Sequence, residues 1–264
     1  MRHRQARGLR TRPPEASLES IVGGLRVITG TLVFALLVAL WVPFLVLLLP
    51  WRVQRIKACN YFGKVAGSTV MRISGSPLTI TGHENLDPDR PAIYISNHTS
   101  AADLFIGMWL APVGTVGIAK KQVVYYPLLG QIYLLSGHLR IDRGNSARAV
   151  ESLRQLSEIV RDNRLSIYMW PEGTRSVGPL LPFKKGIVHL AIQTGLPVVP
   201  VVVSGAHELW VKNTLRVRPV PVRVDVLPAI ATQGWSTEHL EDHLAELQRA
   251  FADALPIDQK PLAT

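Results

Sequence analysis

From Val27 to Trp51 the chain carries no charged side chain, and only Thr29 and Thr31 interrupt its apolar character with a hydroxyl. A helix over these 25 residues is about 37 Å long, more than the roughly 30 Å hydrocarbon core of a bilayer. The run is too long for a signal peptide, and no small-residue cleavage pattern follows it, since Arg52-Val53-Gln54 comes next. It is therefore expected to be embedded in a membrane. Arg2, Arg4, Arg7, Arg10, Arg12 and Arg26 precede the run, and Arg52, Arg55, Lys57 and Lys64 follow it. Positive charge at both flanks pulls both ends to the cytoplasmic side. Pro43 inside the run is a potential helix break. A re-entrant hairpin broken near Pro43 satisfies both observations; a single tilted spanning helix is the alternative. The expected location is the cell membrane, with the remaining chain on the cytoplasmic side.

Residues 1–20 are Arg-rich with Pro13-Pro14 and read as a basic disordered arm. Residues 21–74 read as the membrane-embedded helical anchor followed by a juxtamembrane helix from residue 52. Over residues 75–264 strand-like and helical patterns alternate. Strand-like runs fall near 78–82, 91–96, 114–119, 137–141, 165–170, 197–203 and 222–227, and helical ones near 99–110, 145–162, 184–194 and 237–254. The expected class is α/β: a mixed, largely parallel sheet flanked by helices.

Directly after the apolar run Ala92–Ser96 stands Asn97-His98-Thr99-Ser100-Ala101-Ala102-Asp103. Five residues of ideal helix leave two side chains roughly 140° apart. His98 and Asp103 can therefore meet only if His98 occupies a strand-to-helix turn and Asp103 points back from the first helical turn. Asp103 would then fix the imidazole tautomer and leave the other nitrogen as a general base. A structural alternative is a capping box, Ser100-x-x-Asp103, at a helix N-terminus.

After the next strand-like run, Leu165–Trp170, comes Pro171-Glu172-Gly173-Thr174-Arg175-Ser176. An Arg in such a turn offers a planar fork to phosphate oxygens; the alternative is a plain turn with Arg175 in solvent. Further cations stand in Leu139-Arg140-Ile141-Asp142-Arg143 and Phe183-Lys184-Lys185-Gly186. A base at one strand end and an anion clamp at another is the layout of an enzyme that activates a hydroxyl on a phosphorylated molecule.

These blocks, in this order, resemble the glycerolipid acyltransferase family, its 1-acylglycerol-3-phosphate acyltransferases in particular. His98-x4-Asp103 is similar to the family's catalytic motif. The stretch from Gly137 to Ile141-Asp142-Arg143 resembles its second block, Pro171–Arg175 its third and Leu196–Val201 its fourth. Arg140 stands where an aromatic residue is usual, and Ala101 and Ala102 where the spacer is often bulky. The resemblance implies His98 and Asp103 as the catalytic pair. It implies Lys120, Arg143, Glu172, Gly173, Thr174, Arg175 and Lys184 as the acceptor's phosphate site. The implied reaction moves an acyl group from acyl-CoA or an acyl-carrier protein to lysophosphatidate. Other acceptors (a lyso-aminolipid, glycerol 3-phosphate, dihydroxyacetone phosphate) remain alternatives, as does a catalytically silent lipid-binding protein.

The expected partners are membrane lipids, a lysophospholipid acceptor and the acyl donor, with no further cofactor. A net charge of +10 suits anionic lipid and CoA phosphates. It would suit nucleic acid too, yet no zinc-ligand spacing, RNA-binding aromatic motif or long basic helix is present, and none is expected to bind. No metal is expected either: His239 and His243, four residues apart, read as a solvated polar face. Cys59, the sole cysteine, excludes an intrachain disulfide, and the sequence offers no Gly-x-Ser-x-Gly nucleophile.

Overall fold

Ten buried residues decide where the sheet lies. Ile93-Tyr94-Ile95-Ser96 and the strand Val198–Ser204 are inaccessible to solvent on nearly every residue, as central parallel strands covered on both faces must be. In the computed structural model, which describes residues 18–142, 144, 146–211, 214 and 217–262, seven strands form one sheet. They are β1 (Leu78–Thr81), β2 (Ile93–Ser96), β3 (Thr115–Lys120), β4 (Leu139–Ile141), β5 (Ser166–Met169), β6 (Val198–Ser204) and β7 (Val222–Val226), in the order β1-β7-β6-β2-β5-β3-β4. Strands β6, β2, β5, β3 and β4 run parallel. β7 is antiparallel to β6, and β1 is parallel to β7. The sheet is mixed and largely parallel, as expected.

The helices are α1 (Leu18–Leu47), α2 (Arg52–Ser74), α3 (Ala102–Leu110), α4 (Leu129–Leu135), α5 (Ser146–Asp162), α6 (Gly186–Thr194), α7 (Ala206–Leu209) and α8 (Leu240–Ala254). Alternation along β2 feeds two cores. Ile93 and Ile95 join Ile167, Leu190 and Phe251 on the face covered by α5, α6 and α8. Tyr94 joins Tyr168, Val201, Val203, Ile106 and Leu110 on the face covered by α3. A third cluster, Phe34, Val38, Leu45, Phe62 and Ile132, joins α1, α2 and α4. Helices α2 and α3 pack so closely that a Cβ on Gly67 would lie 2.9 Å from the Trp109 nitrogen and closer still to the Phe105 carbonyl oxygen.

The expected break at Pro43 is corrected by the structure. Helix α1 runs through Pro43 to Leu47, held by burial of Phe34, Val38 and Leu45 against α2 and α4. The chain reverses at residues 48–51, where the Leu49 and Trp51 amides donate to Val46 and Leu48. The returning arm is α2, whose buried face belongs to the α/β domain. Helix α1 is long and apolar enough to cross a membrane by length and composition. Ile21, Leu25, Ile28, Leu32, Leu36, Leu40, Phe44 and Leu47 form an exposed stripe along it. Of the expected arm over residues 1–20, residues 1–17 lie outside the described residues.

Candidate active site

His98 and Asp103 meet as the spacing requires. His98 lies two residues past the end of β2, and α3 begins at Ala102. The His98 Nδ1 is 3.1 Å from Asp103 Oδ2. The same Oδ2 accepts the Thr99 amide at 2.6 Å and the Ser100 amide at 2.7 Å. One carboxylate oxygen therefore caps the helix and orients the imidazole, so the capping and catalytic alternatives are the same contact. Because a carboxylate only accepts, Nδ1 carries the proton and Nε2 keeps its lone pair. The Asp103 side chain is 1% exposed and that of His98 21%. Asp103 Oδ1 is buried and, among the described residues, has no hydrogen-bond partner. Asn97, immediately before His98, exchanges both amide bonds with the Val203 backbone of β6, at 2.7 and 2.8 Å. Ser100 Oγ donates to the Trp210 carbonyl. The turn is pinned from both sides.

The second block meets the first because β2 and β5 are neighbours. Ser176 donates its amide to the His98 carbonyl at 2.8 Å. Glu172, implied above as part of the phosphate site, is engaged within the protein. Its carboxylate faces inward, where Oε1 accepts the His98 amide at 2.6 Å and Oε2 the Leu181 amide at 2.9 Å. Held by these two amides, it braces the loop that carries His98. Burial pushes its carboxyl up to about 7, with the nearby Asp103 adding to the rise, while the Leu181 and His98 amides hold it down. Gly173 adopts φ +75° in the turn, a conformation that favours glycine. Thr174 is exposed and Arg175 half-buried at the same strand edge.

Lys120 ends β3 at this edge, its ammonium 5.6 Å from the centre of the Tyr126 ring. The Lys184 amide donates to the Pro171 carbonyl, which brings its exposed side chain beside the Pro171–Arg175 turn. Arg143 lies outside the described residues. His239 faces solvent beside Asp242, and His243 lies flat on Trp235 with ring centres 4.4 Å apart.

Two features escaped sequence reasoning. Trp170 stacks on His98, ring centres 4.9 Å apart and planes 28° from parallel; its place just before Pro171-Glu172 was the available signal. Trp170 also lines a mainly apolar cavity of about 110 Å³ with Leu104, Gly107, Met108, Phe62 and Ile132. No sequence signal marks this cavity, because its lining comes from α2, α3, α4, β3 and β5. Burial and the Arg52 charge press the lining His138 down to about 4, so it stays neutral. An open groove of about 590 Å³ near Thr79, Ser204 and Arg223 shares no residue with the His98 loop.

A family model described as Acyltransferase matches residues 77–204. The chain is 48% identical over 225 residues to a 1-acyl-sn-glycerol-3-phosphate acyltransferase of Limnanthes douglasii, covering 85% of this chain and 79% of that one. It is 35% identical over 174 residues to the protein of that name in Escherichia coli strain K12, covering 61% and 70%. The crystal structure of the 1-acyl-sn-glycerophosphate (LPA) acyltransferase PlsC from Thermotoga maritima superposes with a TM-score of 0.67 at 25% identity, covering 87% of this chain and 96% of that one.

Proposed function

The chain belongs to the acyltransferase family and is an O-acyltransferase, and on that premise we propose that it esterifies the free hydroxyl of 1-acylglycerol 3-phosphate to give phosphatidic acid. The relatives carry that name. The observation that carries the mechanism is the Asp103 Oδ2 contact to His98 Nδ1, which leaves Nε2 as the base. Nε2 takes the hydroxyl proton as the oxygen attacks the thioester carbonyl of acyl-CoA or acyl-carrier protein. Asp103 stabilises the imidazolium. When the tetrahedral intermediate collapses, the C–S bond breaks and the proton passes from His98 to the departing thiolate, giving ester and free thiol. Base assistance of this kind is worth about 10²–10⁴-fold. The apolar cavity behind Trp170 suits a few methylenes of an acyl chain. Arg175 holds the acceptor phosphate, with Lys120 and Lys184 adding charge.

Helix α1 carries the protein on the membrane through its exposed stripe. Its other face is covered from Gly23 to Leu45: a Cβ on Gly23 would meet the Val217 carbonyl, Phe34 packs on Phe105, and Leu45 lies against α4. A spanning orientation would drag the α/β domain into hydrocarbon, so α1 lies within one leaflet, with the domain on the cytoplasmic side that its basic flanks favour.

Purified protein with labelled acyl-CoA, offered lysophosphatidate, a lyso-aminolipid, glycerol 3-phosphate and dihydroxyacetone phosphate, tests the reading. Product is expected from lysophosphatidate and none from its His98→Ala variant. Near-normal turnover by that variant refutes the base. Preference for the lyso-aminolipid refutes the acceptor. Arg175→Lys keeps the charge but loses the fork, and is expected to weaken phosphorylated acceptors roughly tenfold or more while sparing donor affinity.

A further inference from the structure

The segment between β3 and the end of α4 has two unlike faces. One lines the cavity: Val123, Leu129, Ile132 and Tyr133. The other shows Tyr125 (82% exposed), Tyr126 and Leu134 (53% exposed) to solvent. Two consecutive exposed tyrosines on the same short segment as an exposed leucine are apolar surface of the kind that marks an interaction site. Two cations, Lys120 and Lys121, rim the patch; Lys120 lies over the Tyr126 ring and Lys121 pairs with Asp142 at 2.8 Å. The segment that carries the patch packs on the end of α1, where Leu128, Leu129, Ile132 and Leu135 cluster with Leu45 and Leu48. Aromatic rings with a polar tip, an aliphatic residue and basic neighbours suit the headgroup region of an anionic bilayer.

We propose that Tyr125, Tyr126 and Leu134 form a second membrane contact beside α1, seated in the interface of an anionic bilayer and making a thin wall between that bilayer and the apolar cavity. This rests on the membrane placement of α1. It gives the lipid acceptor and product a short path between leaflet and His98, without passage through water.

Cys59 is buried and burial pushes its thiol up to about 12, so a single introduced cysteine is the reactive one. Tyr125→Cys and, on the opposite face of the sheet, Glu246→Cys on α8 are labelled with an environment-sensitive dye. The full chain is then bound to phosphatidylcholine vesicles containing phosphatidylglycerol. The dye at position 125 is expected to be quenched by lipid-borne nitroxide and shielded from aqueous iodide, and the dye at 246 the reverse. Equal iodide access at both positions on vesicle-bound protein overturns the proposal. Shielding that grows with protein concentration without lipid quenching also overturns it, assigning the patch to a second copy. In a second measurement, Tyr125→Ser combined with Leu134→Ser is expected to raise the apparent KM for vesicle-embedded lysophosphatidate about tenfold. Its turnover of a short-chain, water-soluble lysophosphatidate is expected to be unchanged. An unaltered KM on vesicles overturns the contact. Acyl transfer by the same vesicle samples separates the readings. Transfer with an aqueous dye at 125 removes only the second contact, whereas a lipid-quenched dye without transfer removes only the acceptor assignment.

Discussion

Asp103→Asn removes a charge from an oxygen that serves three donors. Oδ2 receives His98 Nδ1, the Thr99 amide and the Ser100 amide within 3.1 Å. If the asparagine oxygen takes that place, three charge-assisted bonds become neutral ones, each weaker by about 1 kcal/mol. The amide nitrogen then takes the place of Oδ1, which is buried and unpartnered among the described residues; a buried donor left unsatisfied there costs about 1–3 kcal/mol. The opposite rotamer is worse, since it points an N–H₂ group at three donors. The expected stability loss is therefore roughly 4–6 kcal/mol. Catalysis loses a separate quantity. An imidazolium and a carboxylate about 4 Å apart attract by about 4 kcal/mol at an effective dielectric constant of 20, so the rate should fall about 10²–10³-fold. Urea unfolding and turnover of labelled acyl-CoA read the two effects. In a His98→Ala background the stability loss should largely persist, because both backbone amides remain. A variant with unchanged unfolding midpoint and turnover within about twofold of the parent refutes the account.

Three further outcomes follow from the same geometry. Glu172→Gln leaves one of the His98 and Leu181 amides facing a donor, and should cost about 1–3 kcal/mol at about pH 5 and lower turnover without changing acceptor preference. The Glu172 carboxyl is raised from 4.5 to about 7 in the fold, so the folded state binds the extra proton between those values and parent stability falls as pH rises through them; thermal unfolding of Glu172→Gln should lack that component. His138 has the opposite sign: lowered from 6.5 to about 4, it should cost stability as pH falls through that window, and His138→Gln should flatten the acid limb. Gly67→Ala forces a Cβ onto the backbone at Phe105 and Trp109 and should destabilise by about 1–3 kcal/mol in denaturant titration, or not at all if α2 and α3 separate freely.

What the sequence alone determined is what local chemistry fixes. A charge-free run of this length dictates an apolar helix, and Val- and Ile-rich runs split by helical patterns dictate an α/β sheet. The five-residue step from His98 to Asp103 permits a contact in only one local geometry, a strand end followed by a helix start, so the pair was legible before any coordinates. Arg175 stood out because its turn directly follows a buried strand. What only the tertiary structure decided depends on partners distant in sequence. The family resemblance puts Glu172 with the phosphate-site residues, and its part as a brace arises because β2 and β5 are adjacent and bring the His98 amide to its carboxylate. Pro43 reads as a break, and it stays inside α1 because packing on α2 and α4 outweighs one lost backbone bond. The cavity has no sequence signature, since its wall is assembled from five elements. Short-range sterics and hydrogen bonding act within a few residues and are written in the local sequence; enclosure and burial are properties of the packed chain.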